Sequence, residues 1–421
     1  MQKYKEIFII IFYKICVESG YWFILANDTE TYTREFNLFK YIIGILWVVA
    51  LVLCLELGNG KVSQFFCLFK IMFEIIPITA IYALTNESHL YYFVLCASFL
   101  LCELICRCTL DIRIVNFKRF KPALLLVIGP ITLFVIGWIF WKNKLPSLMA
   151  LNIYDVYKLR KANTFIITKY INYILQWIIY VIIPYKLTKN LLEHRYERTI
   201  IWSLVMVVLY LYTGHKTYLF ALPLIIIMCI WAQRKKFVFE FMTVFSGLYS
   251  LMVLGATFNE FIWKVYGLIG RRVLIVPANL KFKYFDFFSQ YPHIGILGIL
   301  PTWINPQKSP YEKNIGNLIS EIYFNKPEMN SNTGFLAEGF MRFGIIGIPM
   351  TLLLFAFLLK LMDYFQKKTS LAFTVGVCIY LIFDLSDGEL WKSLFIGPWA
   401  FLIVFVLLYS QKENHIKGKL K

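Results

Sequence analysis

Residues 38–57 read LFKYIIGILWVVALVLCLEL. A helix of about 20 mostly apolar residues rises about 30 Å, the thickness of a bilayer's hydrocarbon core, so this stretch predicts a membrane-spanning helix. It has company along the whole chain. Spans are predicted near 7–25, 38–57, 65–84, 90–106, 122–141, 164–184, 199–213, 217–232, 240–260, 334–361, 370–386 and 394–410, about twelve in all. Of the 421 residues 59% are hydrophobic, and the mean hydropathy is +0.64. A soluble globule cannot hide that much apolar surface, so the fold class is all-α, a polytopic integral membrane protein. The 18% aromatic content agrees, because Tyr and Trp favour the headgroup interfaces and Phe suits lipid.

The net charge of +18 would suggest nucleic acid in a soluble protein, but here cytoplasmic loops collect Lys and Arg in any case. No nucleic-acid partner is expected. With Lys3 and Lys5 inside, alternate connections fall inside: 107–121, 186–198, Arg234-Lys235-Lys236, Lys367-Lys368 and the tail with Lys417, Lys419 and Lys421. All are basic, and an even number of spans places both termini in the cytoplasm. Lys14 and Glu18 interrupt the first apolar run, yet a cleaved signal peptide would want an unbroken centre, so the run is taken as a retained helix. The nine cysteines lie mostly inside predicted spans. Cys106-Arg107-Cys108 lacks a His or second Cys pair at zinc spacing, so these read as buried free thiols. No phosphate-binding loop, dinucleotide fingerprint or H-E-x-x-H occurs, no cofactor is called for, and no repeated half suggests a transporter of two related bundles.

One predicted external connection, 261–333, runs for about 70 residues, and loops of that length usually have a function. It opens with GLIGRRVLIVPANLKFKYFDFF (267–288), whose mixture of basic and aromatic residues predicts short amphipathic helices at the membrane surface. Arg271, Arg272, Lys281, Lys283, Lys308 and Lys313 lie in this loop. A second external loop, 142–164, sets five basic residues against Asp155 alone. Positive charge outside runs against the topological rule. Attraction to anionic headgroups is one cause; a phosphate-bearing ligand, gripped by the bidentate fork of Arg, is the other. The tight connection LYTGHKTYLF (211–220) turns at Gly214 and brings His215 and Lys216 to the external lip, as a base or sugar donor, or merely as a polar hairpin tip.

The stretch NSNTGFLAEGFMRFGIIGIP (330–349) places Glu338 and Arg342 in the first turns of a predicted span. Four apart, they share a helix face and pair. Charges at such depth face a bundle interior, a water-filled cavity or one another. The pair is either an interfacial ion pair or the floor of a site, with Arg342 open to a phosphate and Glu338 orienting it or taking a proton. Gly334, Gly339, Gly344 and Gly347 leave room for close approach.

In order, LNIYDVYKLRKANTF, VIIPYKL, TGHKTYLFALPL, GRRVLIVPANLKFKYFDFF and NTGFLAEGFMRFGIIG resemble the bacterial O-antigen and capsular polysaccharide polymerases, the Wzy group, over roughly residues 150–361. The resemblance implies a GT-C-like membrane glycosyltransferase in the cytoplasmic membrane. Such an enzyme joins oligosaccharide repeat units carried on undecaprenyl diphosphate, without a metal, at the outer face. It implies membrane lipids as surroundings, and a chain-length regulator and a flippase of the same pathway as partners. In the family an Arg precedes a Pro by five positions at the start of the large loop, which Arg272 and Pro277 match, with Arg271 beside them. External arginines also mark the family, and Arg160 and Arg342 lie where such roles are expected.

Breaking a glycosyl–diphosphate bond builds negative charge on the leaving oxygens, and with no external Asp-x-Asp the cations are fixed Arg and Lys. Candidate general bases are Glu338, His215, His293 and Asp286. Tyr284, Asn332 and Lys216 are further candidates to hold substrate. Asp28 and Glu30 belong to the first external loop, where other GT-C enzymes keep an acidic residue. Two other activities compete: an O-antigen ligase with the same donor and a different acceptor, and a lipid-linked oligosaccharide flippase. A flippase needs charged residues deep in several spans, and the sequence is not expected to hold them.

Overall fold

The computed structural model describes residues 2–26, 32–108, 130, 132, 134–139, 141, 169–299 and 309–408. Every regular element among them is helical. Six helices are long and apolar enough to cross a membrane: Gln2–Leu25, Leu38–Asn59, Val62–Leu84, His89–Arg107, Phe237–Ala256 and Phe335–Lys368. Shorter apolar helices are Lys216–Trp231, Leu371–Asp384 and Pro398–Leu407. The chain is built as a helical membrane protein. The predicted span at 122–141 falls mostly outside the described residues, as do the loop around Arg160, the acidic pair Asp28 and Glu30, and the basic tail.

We number the helices α1 (Gln2–Leu25), α2 (Leu38–Cys54), α3 (Val62–Leu84), α4 (His89–Arg107), α5 (169–192), α6 (Tyr196–Thr213), α7 (Lys216–Trp231), α8 (Phe237–Ala256), α9 (260–290), α10 (Ile315–Phe324), α11 (Phe335–Phe343), α12 (Gly347–Lys368), α13 (Leu371–Asp384), α14 (Leu390–Phe395) and α15 (Pro398–Leu408). They form two compact units. The first comprises Met1–Leu110, Lys236–Lys360 and Asp384–Lys392; the second comprises Asp111–Lys235, Leu361–Phe383 and Ser393–Lys421.

In the first unit α3 is buried along its whole length, with α1, α2, α4 and the second half of α9 around it. A mostly apolar helix belongs in such a centre, where its Lys70 and Glu74 must find partners inside the unit. Aromatic rings lock α9 in place: Tyr91 of α4 lies 5.3 Å from Phe282 and 5.1 Å from Phe285, and Phe285 lies 4.6 Å from Phe340 of α11. Lys14 and Glu18, which interrupt the first apolar run, are buried within α1 and pair with each other. In the second unit α5, α6 and α7 pack together, and α15 lies on α5, where Trp177 stacks on Phe401 at 5.3 Å. Gly214 makes the predicted sharp turn between α6 and α7 with φ +66°.

Four helices carry wide turns among the described residues. Residues Gly20–Leu25, Ile71–Ile75, Ile178–Ile182 and Gly267–Ile275 are π-helical, and Pro77, Pro184 and Pro277 follow the last three by two residues. Proline offers no N–H and its ring crowds the carbonyl four residues back, so the turn before it opens. The amides of Ile76, Ile183 and Val276 accordingly bond five residues back, to the carbonyls of Ile71, Ile178 and Arg271. Wide turns of this kind are uncommon and gather at functional sites.

Two expectations need correction. The stretch 267–288 does not form short surface helices: it belongs to one unbroken helix, α9, whose residues Leu280, Lys281, Phe282, Tyr284, Phe287 and Phe288 are buried. Nor is 334–361 one straight span. In a straight helix Gly339 and Gly347 would stand about 12 Å apart along the axis. Here a Cβ added to Gly347 would lie 1.9 Å from the carbonyl oxygen of Gly339, so the two glycine faces touch and α11 folds back on α12. The bend falls at Gly344, whose φ of +63° closes α11.

Candidate functional site

The site is built in the first unit from α3, α9, α11 and the segment DLSDGELWK (384–392). Glu338 and Arg342 are both buried, and Arg342 Nε donates to Glu338 Oε1 at 2.7 Å. The pair expected from sequence forms, buried within the unit. Arg342 Nη1 donates to the carbonyls of Gly295 (3.2 Å) and Leu297 (2.8 Å), and Nη2 to Glu389 Oε2 (3.3 Å). The second Glu338 oxygen accepts the backbone N–H groups of Leu390 (2.5 Å) and Trp391 (3.2 Å) at the start of α14. A buried guanidinium and carboxylate are costly unless their remaining hydrogen-bonding capacity is used, and here most of it is. The pair is a clasp that ties 295–297 and 389–391 to α11, leaving Arg342 little capacity for a phosphate and Glu338 little for a proton.

A second network lies under the middle of α9. Lys70 and Glu74 of α3 pair with each other, four residues apart and both buried. Buried Lys281 reaches the same carboxylate at 3.5 Å and the carbonyls of Ser386 and Pro277 at 3.4 Å each. Ser386 Oγ donates to Glu74 Oε1 at 3.1 Å and accepts from Lys70 at 3.3 Å. The ammonium groups of Lys70 and Lys281 thus share the single buried carboxylate of Glu74. Exposed Asp387 extends the network outward, within electrostatic reach of Lys281, Lys70, Glu74 and Arg272.

Arg271 and Arg272 are exposed on the wide turn of α9, which packs against the π-helical turns of α1 and α3. Pro277 denies its N–H to the carbonyls four and five residues back, on Val273 and Arg272, so the Arg-to-Pro spacing noted in the sequence has a mechanical reading. Arg272 and Lys281 thus belong to one helix, one on its solvated face and the other on its buried face.

The remaining candidates scatter. Tyr284 is buried and donates to the carbonyl of Ser331 at 2.8 Å; burial raises its phenol, which stays a donor. His293 is exposed and stacks on Phe288 at 6.2 Å, with Nε2 filling the space a Cβ on Gly344 would need. Asp286 accepts from Tyr323 at 2.6 Å; burial and that bond raise the Tyr323 phenol. Asn332 is exposed beside Gly316. His215 and Lys216 belong to the second unit, where His215 precedes α7 and its ring lies 5.3 Å from that of Tyr218. Arg160 lies outside the described residues. Sequence reading missed Lys70, Glu74, Ser386, Asp387 and Glu389. The i, i+4 spacing of Lys70 and Glu74 inside an apolar run was the available signal for the first two.

One expectation used to separate activities is overturned. Buried charged residues do lie inside two of the candidate spans, Lys14 and Glu18 in α1 and Lys70 and Glu74 in α3, and Glu338 and Arg342 are buried in α11. Comparison with protein-family models, curated proteins and solved structures found no match.

Proposed function

We propose that the chain is a glycosyltransferase of the bacterial cytoplasmic membrane. It would polymerise undecaprenyl-diphosphate-linked oligosaccharide repeat units into O-antigen or capsular polysaccharide at the outer face, from a GT-C-like frame of twelve spans with cytoplasmic termini. The observation that carries this reading is the pair Arg271–Arg272, exposed on a proline-widened turn packed against two candidate membrane helices, with Lys281 of the same helix and Lys70 of α3 buried. Such a place suits a diphosphate whose lipid tail stays in the bilayer. Arg272 grips the leaving phosphate oxygens in bidentate fashion, and the lysines add field from a low-dielectric interior.

In the reaction the bond between the growing glycan's anomeric carbon and the diphosphate oxygen breaks, leaving its electron pair on the diphosphate. The acceptor hydroxyl of a new lipid-linked unit bonds to that carbon and gives its proton to a carboxylate. Asp387, exposed and in the field of Arg272, suits that role better than Glu338, whose oxygens are already engaged. The Glu338–Arg342 clasp positions the segment that carries Asp387. O-antigen ligase, with the same donor and another acceptor, would use the same residues.

A lipid-linked oligosaccharide flippase is the second reading, and the buried charged pairs in α1, α3 and α11 favour it. Their closure on internal partners favours a structural role instead. Complementation separates the activities. A strain lacking its polymerase should regain a ladder of glycan lengths when it carries this chain. Persistence of a single capped unit there, with rescue of a flippase-deficient strain, overturns the polymerase reading.

A further inference from the structure

Elsewhere in the same unit three thiols meet. Cys67 comes from the first turns of α3, and Cys102 and Cys106, four apart, from the last turns of α4. Their sulfurs all lie within 4.8 Å of one another, and all three residues are fully buried. Nothing in the linear spacing announces this, because one ligand comes from a different helix. A buried free cysteine is usually a small hydrophobe, and two could meet by chance. Three sulfurs converging at one point is a donor set.

The charges around it supply an independent observation. Lys360 of α12 is only 8% exposed, and its ammonium donates to the carbonyls of Cys106 (3.2 Å) and Cys108. Lys360 has no carboxylate partner among the described residues, although a buried ammonium normally requires one. It lies within electrostatic reach of the Cys106 sulfur, as does Lys61. A negatively charged thiolate centre is the missing counter-charge. Glu103, in the same turn of α4, keeps both carboxyl oxygens buried and without hydrogen bonds, and it is not among the ligands that cluster.

We propose that Cys67, Cys102 and Cys106 bind one monovalent soft cation, Cu(I). A metal with metal–sulfur bonds of about 2.3 Å brings its sulfur ligands to about 4 Å from one another, a separation the cluster accommodates with little movement. Structural Zn(II) takes four ligands, whereas soft thiolates select Cu(I), for which three suffice. On binding, two thiols give their protons to solvent and the third keeps its own. The centre then carries one net negative charge, which Lys360 offsets. Cys108, two residues beyond Cys106 at the end of α4, is an exposed thiol.

The experiment uses the full-length protein in detergent, without oxygen, titrated with Cu(I) against a coloured Cu(I) chelator. One equivalent per chain should be withdrawn from the chelator, and X-ray absorption should show a shell of three sulfurs. Cys67→Ser, Cys102→Ser and Cys106→Ser should each weaken binding at least a hundredfold, while Cys229→Ser and Cys378→Ser leave it unchanged. Size-exclusion profiles and melting temperatures identify any variant that fails to fold. Lys360→Gln serves as a second probe: it should weaken binding about tenfold and keep the three-sulfur shell. Four outcomes overturn the site: no competition with the chelator, equal binding by the triple serine variant, Zn(II) held more tightly than Cu(I), or a disulfide among these cysteines in the anaerobic protein.

Discussion

Arg272 and Arg342 are guanidiniums of the same unit in opposite circumstances. Arg342 is 2% exposed and spends its donors on Glu338, Glu389 and two carbonyls, whereas Arg272 is exposed and lies within electrostatic reach of Asp387. Replacing Arg272 with Ala should remove a charge-stabilising contact of about 2.7–4 kcal/mol, or roughly 10²–10³ in rate. Glycan ladders should collapse to short forms at unchanged membrane levels. Arg272→Lys should recover little, since an ammonium cannot reproduce the fork. Ladders of normal length in both variants would remove Arg272 from the site. Arg342→Ala has another signature. It strands the buried Glu338 carboxylate, and breaking such a pair costs on the order of 3–5 kcal/mol, visible as a lower melting temperature in detergent. The double change Glu338→Leu, Arg342→Met should melt above the single variant, because no buried charge is left alone. A double variant no more stable than the single one contradicts the clasp.

At the scale of the element, the proline-widened turn is the feature that aims Arg271 and Arg272. A π-helical insertion adds one residue to a turn, which rotates what precedes it by about 100° relative to an uninterrupted α-helix. Pro277→Ala restores an N–H for the carbonyl of Val273 and lets the turn tighten. The protein should remain folded and at least as stable, yet both arginines swing off their present face, so polymer formation should fall at least tenfold. Spin labels on either side of the turn, in α8 and α9, should report the changed distance. A full ladder, or an unchanged distance, argues that the turn is held by its neighbours in α1 and α3 instead. Some of this was legible in the sequence. Oppositely charged residues four apart inside an apolar run are a local signal, present three times here. The contacts from Lys281 and Ser386 were not legible, because they join residues 105 and 312 positions apart in the chain. The fold of α11 onto α12 was hidden for a related reason: glycines in an apolar run read equally as packing room or as a bend.

For the whole molecule, composition and the lengths of apolar runs were enough to give a helical membrane protein, because hydrocarbon leaves the backbone few alternatives. Sidedness is a separate matter and rests on charge. Arg234-Lys235-Lys236 stands immediately before α8, a candidate span with one acidic residue, Glu240, in its first turn. If α8 crosses once, that cluster and Arg272 lie on opposite faces. Basic residues close to a span are retained in the cytoplasm, so under the proposed topology Arg272 would face outward, where a lipid-linked glycan would be used. Reporter fusions test the chain of argument. An enzyme active only outside the cytoplasm should be active when joined after Asn86 or Glu312 and silent after Lys235 or Thr369; a reporter fluorescent only inside should give the reverse pattern. Replacing Arg234, Lys235 and Lys236 with Gln should weaken the contrast at Glu312, since the retained charge is what fixes the span. Cytoplasmic readings at both Lys235 and Glu312 would mean that α8 does not cross. Arg271 and Arg272 would then sit on the side where the repeat units are made, and polymerisation at the outer face would lose its geometry.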